Sequence, residues 1–163
     1  MRHILQSLFV LAAFVSTAMI GRSGEQKDDK LSFDIYAKGY FVKNKAPLPG
    51  NPAHLLLQDK KSFDDIFSVG FTMGAKPKLI NDKLFETHWI VAVVKSGNAM
   101  TTFEVEQVRR DKGRVIVQYK ATDKGPSSAR FNSALIASVP RGDYTEVVFM
   151  ENGKEASKVA VKK

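Results

Sequence analysis

Six apolar residues, Trp89-Ile90-Val91-Ala92-Val93-Val94, follow one another without a polar interruption. Successive side chains of a strand point to opposite faces, so an unbroken apolar run suits a central strand that is covered on both sides. The rest of the chain must supply that cover. Eleven phenylalanines are available for a core, in a chain of 163 residues that is 44% hydrophobic and 26% charged.

Two hairpins are legible around this strand. Phe103 to Val108 and Arg114 to Ala121 flank Asp111-Lys112-Gly113, which reads as a three-residue loop with glycine in the left-handed position. The implied register sets Phe103 opposite Ala121, Val105 opposite Tyr119 and Gln107 opposite Val117 on the core face. It leaves Glu104 with Lys120, and Glu106 with Gln118, on the wet face. Towards the end of the sequence Asn152-Gly153, the strongest short hairpin signal, joins Tyr144–Met150 to Glu155–Val161.

Strands are also expected at His54–Gln58 and Ala129–Val139, and over an aromatic stretch from Phe33 to Val42 in which Gly39 marks a bulge. Pro47, Pro49, Gly50 and Pro52 make an extended loop. One short helix is expected, capped by Ser62 with Asp65 three residues on, burying Phe63, Ile66 and Phe67 and ending near Gly70; residues 71–81, with Gly74 and Pro77, read as irregular. The fold class is mainly β: an antiparallel sandwich or open barrel of about seven strands with one short helix.

The first residues read as an export signal. Arg2 precedes an apolar stretch from Ile4 to Ala18, and Ser16 and Ala18 occupy the −3 and −1 positions of a cleavage site. The stretch is shorter than the ~20 apolar residues of a bilayer span, so no membrane anchor is expected after cleavage. Residues 1–18 are thus assigned to a signal peptide, 19–32 to a flexible polar leader and 33–163 to a single β-rich domain. The chain has no cysteine, which excludes disulfides, thiol catalysis and lipid attachment through cysteine. A free periplasmic or secreted bacterial protein is the expectation.

Catalytic signatures are absent. His54 and His88 have no metal-ligand spacing, no nucleophile elbow occurs, and the glycines show no phosphate-cradle pattern. The acidic pairs Asp64/Asp65 and Glu104/Glu106 read as surface ion-pair partners. Arg141-Gly142-Asp143 matches an adhesion tripeptide, but after Pro140 and before a strand it reads as turn chemistry. The expectation is a non-enzyme without metal or cofactor. The formal charge of +8 comes from scattered lysines and arginines without a nucleic-acid pattern, and favours acidic partners.

The order of Leu55–Phe67, Phe85 followed by Trp89–Val94, Ser96-Gly97, the Phe103–Tyr119 hairpin, Pro126 and Val139-Pro140-Arg141-Gly142-Asp143-Tyr144 resembles the PrcB-like C-terminal domain family, over roughly residues 53 to 153. That family is named for a regulatory subunit of a secreted bacterial protease complex. The resemblance implies an exported interaction module and transfers no catalytic residue. In place of the family's Thr-Gly-Gly-Tyr-like stretch this protein has Ala99-Met100-Thr101-Thr102-Phe103.

Two segments, 95–102 and 123–130, read as loops carried by the sheet, where binding usually sits. Lys95, Asn98, Met100, Lys124 and Arg130 are their candidate contacts to a protein partner, such as an extracellular protease or envelope component. The alternative is a carbohydrate or anionic envelope polymer, bound by exposed Tyr36 and Tyr40 with nearby lysines.

Overall fold

The computed structural model describes residues 29–70 and 78–162. The expected signal segment, most of the leader, and residues 71–77 of the expected irregular stretch lie outside them. In sequence order the described elements are β1 (Asp29–Lys30), β2 (Asp34–Ile35), a 3-10 turn (Ala37–Gly39), β3 (Tyr40–Val42), β4 (Ala53–Leu57), α1 (Lys60–Ile66) and β5 (Phe67–Val69). They continue with α2 (Asp82–Thr87), β6 (His88–Asp111), β7 (Arg114–Pro140), β8 (Glu146–Glu151) and β9 (Lys154–Ala160). The fold is mainly β, as the sequence indicates.

One hairpin organises the molecule. β6 and β7, of 24 and 27 residues, pair antiparallel along their length. The segments expected as separate strands and loops are therefore continuous strands. Lys112 (φ 47°) and Gly113 (φ 78°) form a two-residue turn with Asp111 opposite Arg114, one residue tighter than expected. Near the turn Gln107 consequently faces Gln118, and Val108 faces Val117. The ladder then slips by one residue between Val105 and Gln107, which restores the expected pairs Val105–Tyr119, Glu104–Lys120 and Phe103–Ala121. This bulge lets both Val105 and Val108 turn inward although they are three residues apart.

The hairpin serves two layers. In its first half, residues 88–97 with 131–140, β6 also pairs with β4 and β7 also pairs with β2. In its second half β6 pairs with β1, and β7 pairs with β8, followed by β9. The pairing of β7 with β8 is parallel, so the sheet is mixed rather than wholly antiparallel. The crossover that a parallel pair requires is supplied by β7 itself, which runs on into the first half and returns through residues 141–145.

Trp89, Val91 and Val93 of the first half pack with Val108, Val115 and Val117 of the second and with Phe149 of β8, so the two halves share one core. Ile90, Ala92, Val94 and Ile136 face the other way and are covered by Phe63, Ile66, Phe67 and Phe85 from the helices and β5. The unbroken run at 89–94 is thus buried on both faces.

Five local expectations are corrected. Asp59, not Ser62, caps α1: its carboxylate accepts from the Ser62 amide at 2.7 Å, because an aspartate one residue before the helix reaches that orphan donor. The helix ends at Ile66, and Phe67 enters β5, which pairs with β3. A second helix, α2, starts at Asn81, whose side chain accepts from the Leu84 amide at 3.1 Å. Among the described residues strand pairing starts at Asp29–Lys30 opposite Arg109–Arg110, within the expected leader, and the Phe33–Val42 stretch is broken by the 3-10 turn at Ala37–Gly39.

Candidate functional site

β9 is the last strand of the sheet order, so its outer edge has no strand partner among the described residues. That edge runs beside β4 without backbone pairing, and side-chain grooves fill the seam between them. One of about 490 Å³ lies between the Pro49–Pro52 loop, His54 and Ser157–Ala160; a second of about 520 Å³ lies between Pro52, His54, Glu151 and Ala156. The loop wall is held in place by Asn51, whose amide side chain donates to the Ser96 carbonyl at 2.7 Å and accepts from the Ser96 amide at 2.8 Å, prolonging the β4–β6 ladder.

A polar relay forms the floor of the seam. His54 Nε2 lies 3.0 Å from the Tyr119 hydroxyl, which donates to Glu151 Oε2 at 3.0 Å. The hydroxyl has one hydrogen and gives it to Glu151, so His54 must be the donor through Nε2–H. Burial, only partly opposed by Glu151, lowers the His54 pKa below its ordinary 6.5, so the ring is neutral at pH 7. Burial, with the hydrogen bond to Glu151 and its charge, raises the Tyr119 pKa far above its ordinary range. Such a relay stiffens the junction of β4, β7 and β8. It does not assemble a nucleophile, since the phenol is held protonated.

At one end the seam opens into a cleft of about 490 Å³, to which Gln58 and Lys162 contribute as they do to the neighbouring groove. Trp89, the 141–145 turn and Val161 form the rest of its wall. The Arg141 guanidinium lies 5.8 Å from the Trp89 ring centroid and donates to the Gln58 carbonyl at 3.2 Å. The Arg-Gly-Asp tripeptide is therefore a turn whose arginine is stacked into a cleft. A Cβ on its glycine would meet the Tyr144 ring at 2.8 Å, so any larger residue there must displace that ring.

Comparison of the protein with family models, curated proteins and solved structures finds no match.

The five candidate contacts lie along the middle of the long hairpin, on strands rather than loops. Met100 and Lys124 are cross-strand partners, and Asn98 sits opposite an exposed bulge of β7 that contains Arg130. Lys95 is engaged by Asp123 at 2.8 Å. None of the five lines the seam or the cleft. The tyrosines expected to be exposed are not: Tyr36 is 3% exposed, and Tyr40 packs edge-on to Phe63 while its hydroxyl accepts from the Ile80 amide. Among the described residues no three His, Asp or Glu side chains converge on one point, and no helix is long and apolar enough to cross a membrane.

Sequence reasoning misses His54, Tyr119 and Glu151 because they come from three strands whose closure only the bent hairpin brings about. A signal does exist for the cleft: the sole tryptophan and the Arg141 turn fall in the two segments that end up at the same end of the β6–β7 ladder.

Proposed function

We propose that the protein is an exported, non-enzymatic binding module that takes an extended segment of a protein partner along the outer edge of β9. The observation that carries this reading is the edge itself, bordered by side-chain grooves and backed by a rigid floor. A strand edge supplies unspent backbone donors and acceptors, and flanking grooves read alternate side chains of the added segment. Lys154 and Lys158 on β9, the latter paired with Glu155, and Lys162 just beyond it deter pairing between copies of the protein and favour an acidic segment. The likeness to the PrcB-like C-terminal domain makes a secreted protease complex the first partner to try.

Peptides selected from a displayed library against the folded protein test this. Binding of a selected peptide, measured by calorimetry, is expected to be lost in Ala160→Phe, which fills the groove from an exposed position without touching the core. It is expected to survive simultaneous alanine replacement of Lys95, Asn98, Met100, Lys124 and Arg130. The reverse pattern returns the site to the middle of the hairpin and overturns the reading.

A further inference from the structure

The floor of the seam leaves one polar atom unpaired. His54 is the residue that the three seam grooves have in common, and it is 9% exposed. Its Nε2–H is committed to the Tyr119 hydroxyl, and that relay fixes the tautomer, so Nδ1 carries a bare lone pair. Nδ1 has no hydrogen-bond partner among the described residues, where the one unpartnered side-chain nitrogen or oxygen fully shut off from solvent is Trp89 Nε1. Nδ1 is therefore not sealed in the core. Phe149 covers the ring, 5.0 Å between centroids, and the part left open meets the grooves that His54 lines.

We propose that His54 selects the segment added along β9, its Nδ1 accepting a hydrogen bond from a serine or threonine hydroxyl on the residue that lies over it. This rests on the β9 reading and names what the segment must carry. An acceptor on the floor calls for a donor, and an aliphatic side chain or a carboxylate placed there leaves the lone pair unmatched. Glu151 is the charged group that acts on the ring, so acidic residues favoured by the rim lysines belong on either side of this point rather than at it. An ammonium would meet Lys154, Lys158 and Lys162, which line the same grooves. A hydroxyl brings one hydrogen and no charge, which suits a single lone pair.

The acceptor is also set before any ligand arrives. Packing on Phe149 and the bond to Tyr119 hold the ring, which lowers the ordering cost of binding. Selection by a fixed polar contact is sharp, because a segment without the hydroxyl leaves a polar group of the site unpaired.

The free protein supplies the first arm of the test. In a long-range ¹H–¹⁵N spectrum of the full-length protein at pH 7, the His54 ring is expected to show Nε2 protonated and Nδ1 bare; the reverse tautomer overturns the proposal. The second arm uses peptides selected from a displayed library and found by amide exchange to protect β9. They are expected to share a serine or threonine at one position. Replacing that residue by alanine is expected to weaken binding about ten-fold, and only the hydroxyl form is expected to move the Nδ1 resonance upfield. His54→Phe, which keeps a ring without the acceptor, is expected to erase the difference between the two peptides, a coupling that a loss of stability alone does not produce. If that variant fails to fold, the Nδ1 shift and the paired peptides decide. Equal binding of the alanine peptide, or tighter binding of a lysine peptide, overturns the hydroxyl selection and leaves the β9 reading standing. If no selected peptide protects β9, the edge reading falls and this selection falls with it.

Discussion

The two halves of the long hairpin are built from the same two strands and behave as different structures. In the first half Ile90, Ala92 and Val94 are as buried as Trp89, Val91 and Val93, because helices cover one face and the second half covers the other. In the second half Val108, Val115 and Val117 are buried while Glu104, Glu106 and Lys120 are exposed. Ile116 and Val148, ladder partners on the outer face, are buried there as well. Cover, not strand identity, sets the pattern. A single β-strand reads as continuous where it is sandwiched and as alternating where one side meets water.

The largest effect that can break this contrast is in the core of the first half. Ile90→Ala is expected to cost about 2–5 kcal/mol, because the surroundings of a residue packed on every side relax only partly. Gln118→Ala in the second half is expected to stay within about 0.5 kcal/mol. Urea denaturation of both variants measures the difference, and equal losses would show that the halves are covered alike.

Next comes the relay that joins the layers. Tyr119→Phe keeps the ring in the shared core but strips the partner from His54 Nε2–H and from Glu151, at an expected cost of about 1–3 kcal/mol. Chemical denaturation checks it, and a neutral result would mean that water replaces the hydroxyl.

The turns should separate by mechanism. At Gly113 (φ 78°) a Cβ would touch nothing, so Gly113→Ala bears only the left-handed backbone strain of about 1–2 kcal/mol. Gly142→Ala has no such backbone demand and instead displaces the Tyr144 ring, which should move the Trp89 indole resonance while Gly113→Ala leaves it in place.

Acid sharpens the comparison further. The native pKa of His54 lies below 6.5, so the unfolded polypeptide binds its proton first as pH falls. Stability attributable to neutral His54 is therefore complete above 6.5, declines below it, and levels off beneath the native value. In His54→Gln that part of the pH dependence is expected to vanish from thermal melts taken between pH 7 and 5. The smallest effect belongs to the wet face. Glu106 and Lys120 approach to 2.6 Å but are solvent-screened, and Lys120→Ala is expected to leave the melting temperature nearly unchanged.

The same logic explains what the sequence makes legible. The Trp89–Val94 run, the alternation of Phe103–Val105 against Tyr119–Ala121 and the Asn152-Gly153 turn are local signals, and each is found where the residues point. What escapes is non-local. Whether the residues at 95–102 and 123–130 are loops or ladder depends on their finding each other across the hairpin, and small polar side chains carry no periodicity to say so. The parallel pairing of β7 with β8 is set by the bend, not by either strand. The Lys112-Gly113 turn reads one residue too long because the compensating bulge at Glu106 leaves the outer register unchanged. The relay and the cleft follow from that closure, so only the turn at Arg141 is visible in advance.

Amide hydrogen exchange, with and without a peptide selected from the display library, tests the account most directly. Exchange in Lys154–Ala160 is expected to slow markedly on binding, with the 95–102 and 123–130 segments unaffected. Slowing confined to those two segments, with β9 exchanging as before, would contradict it.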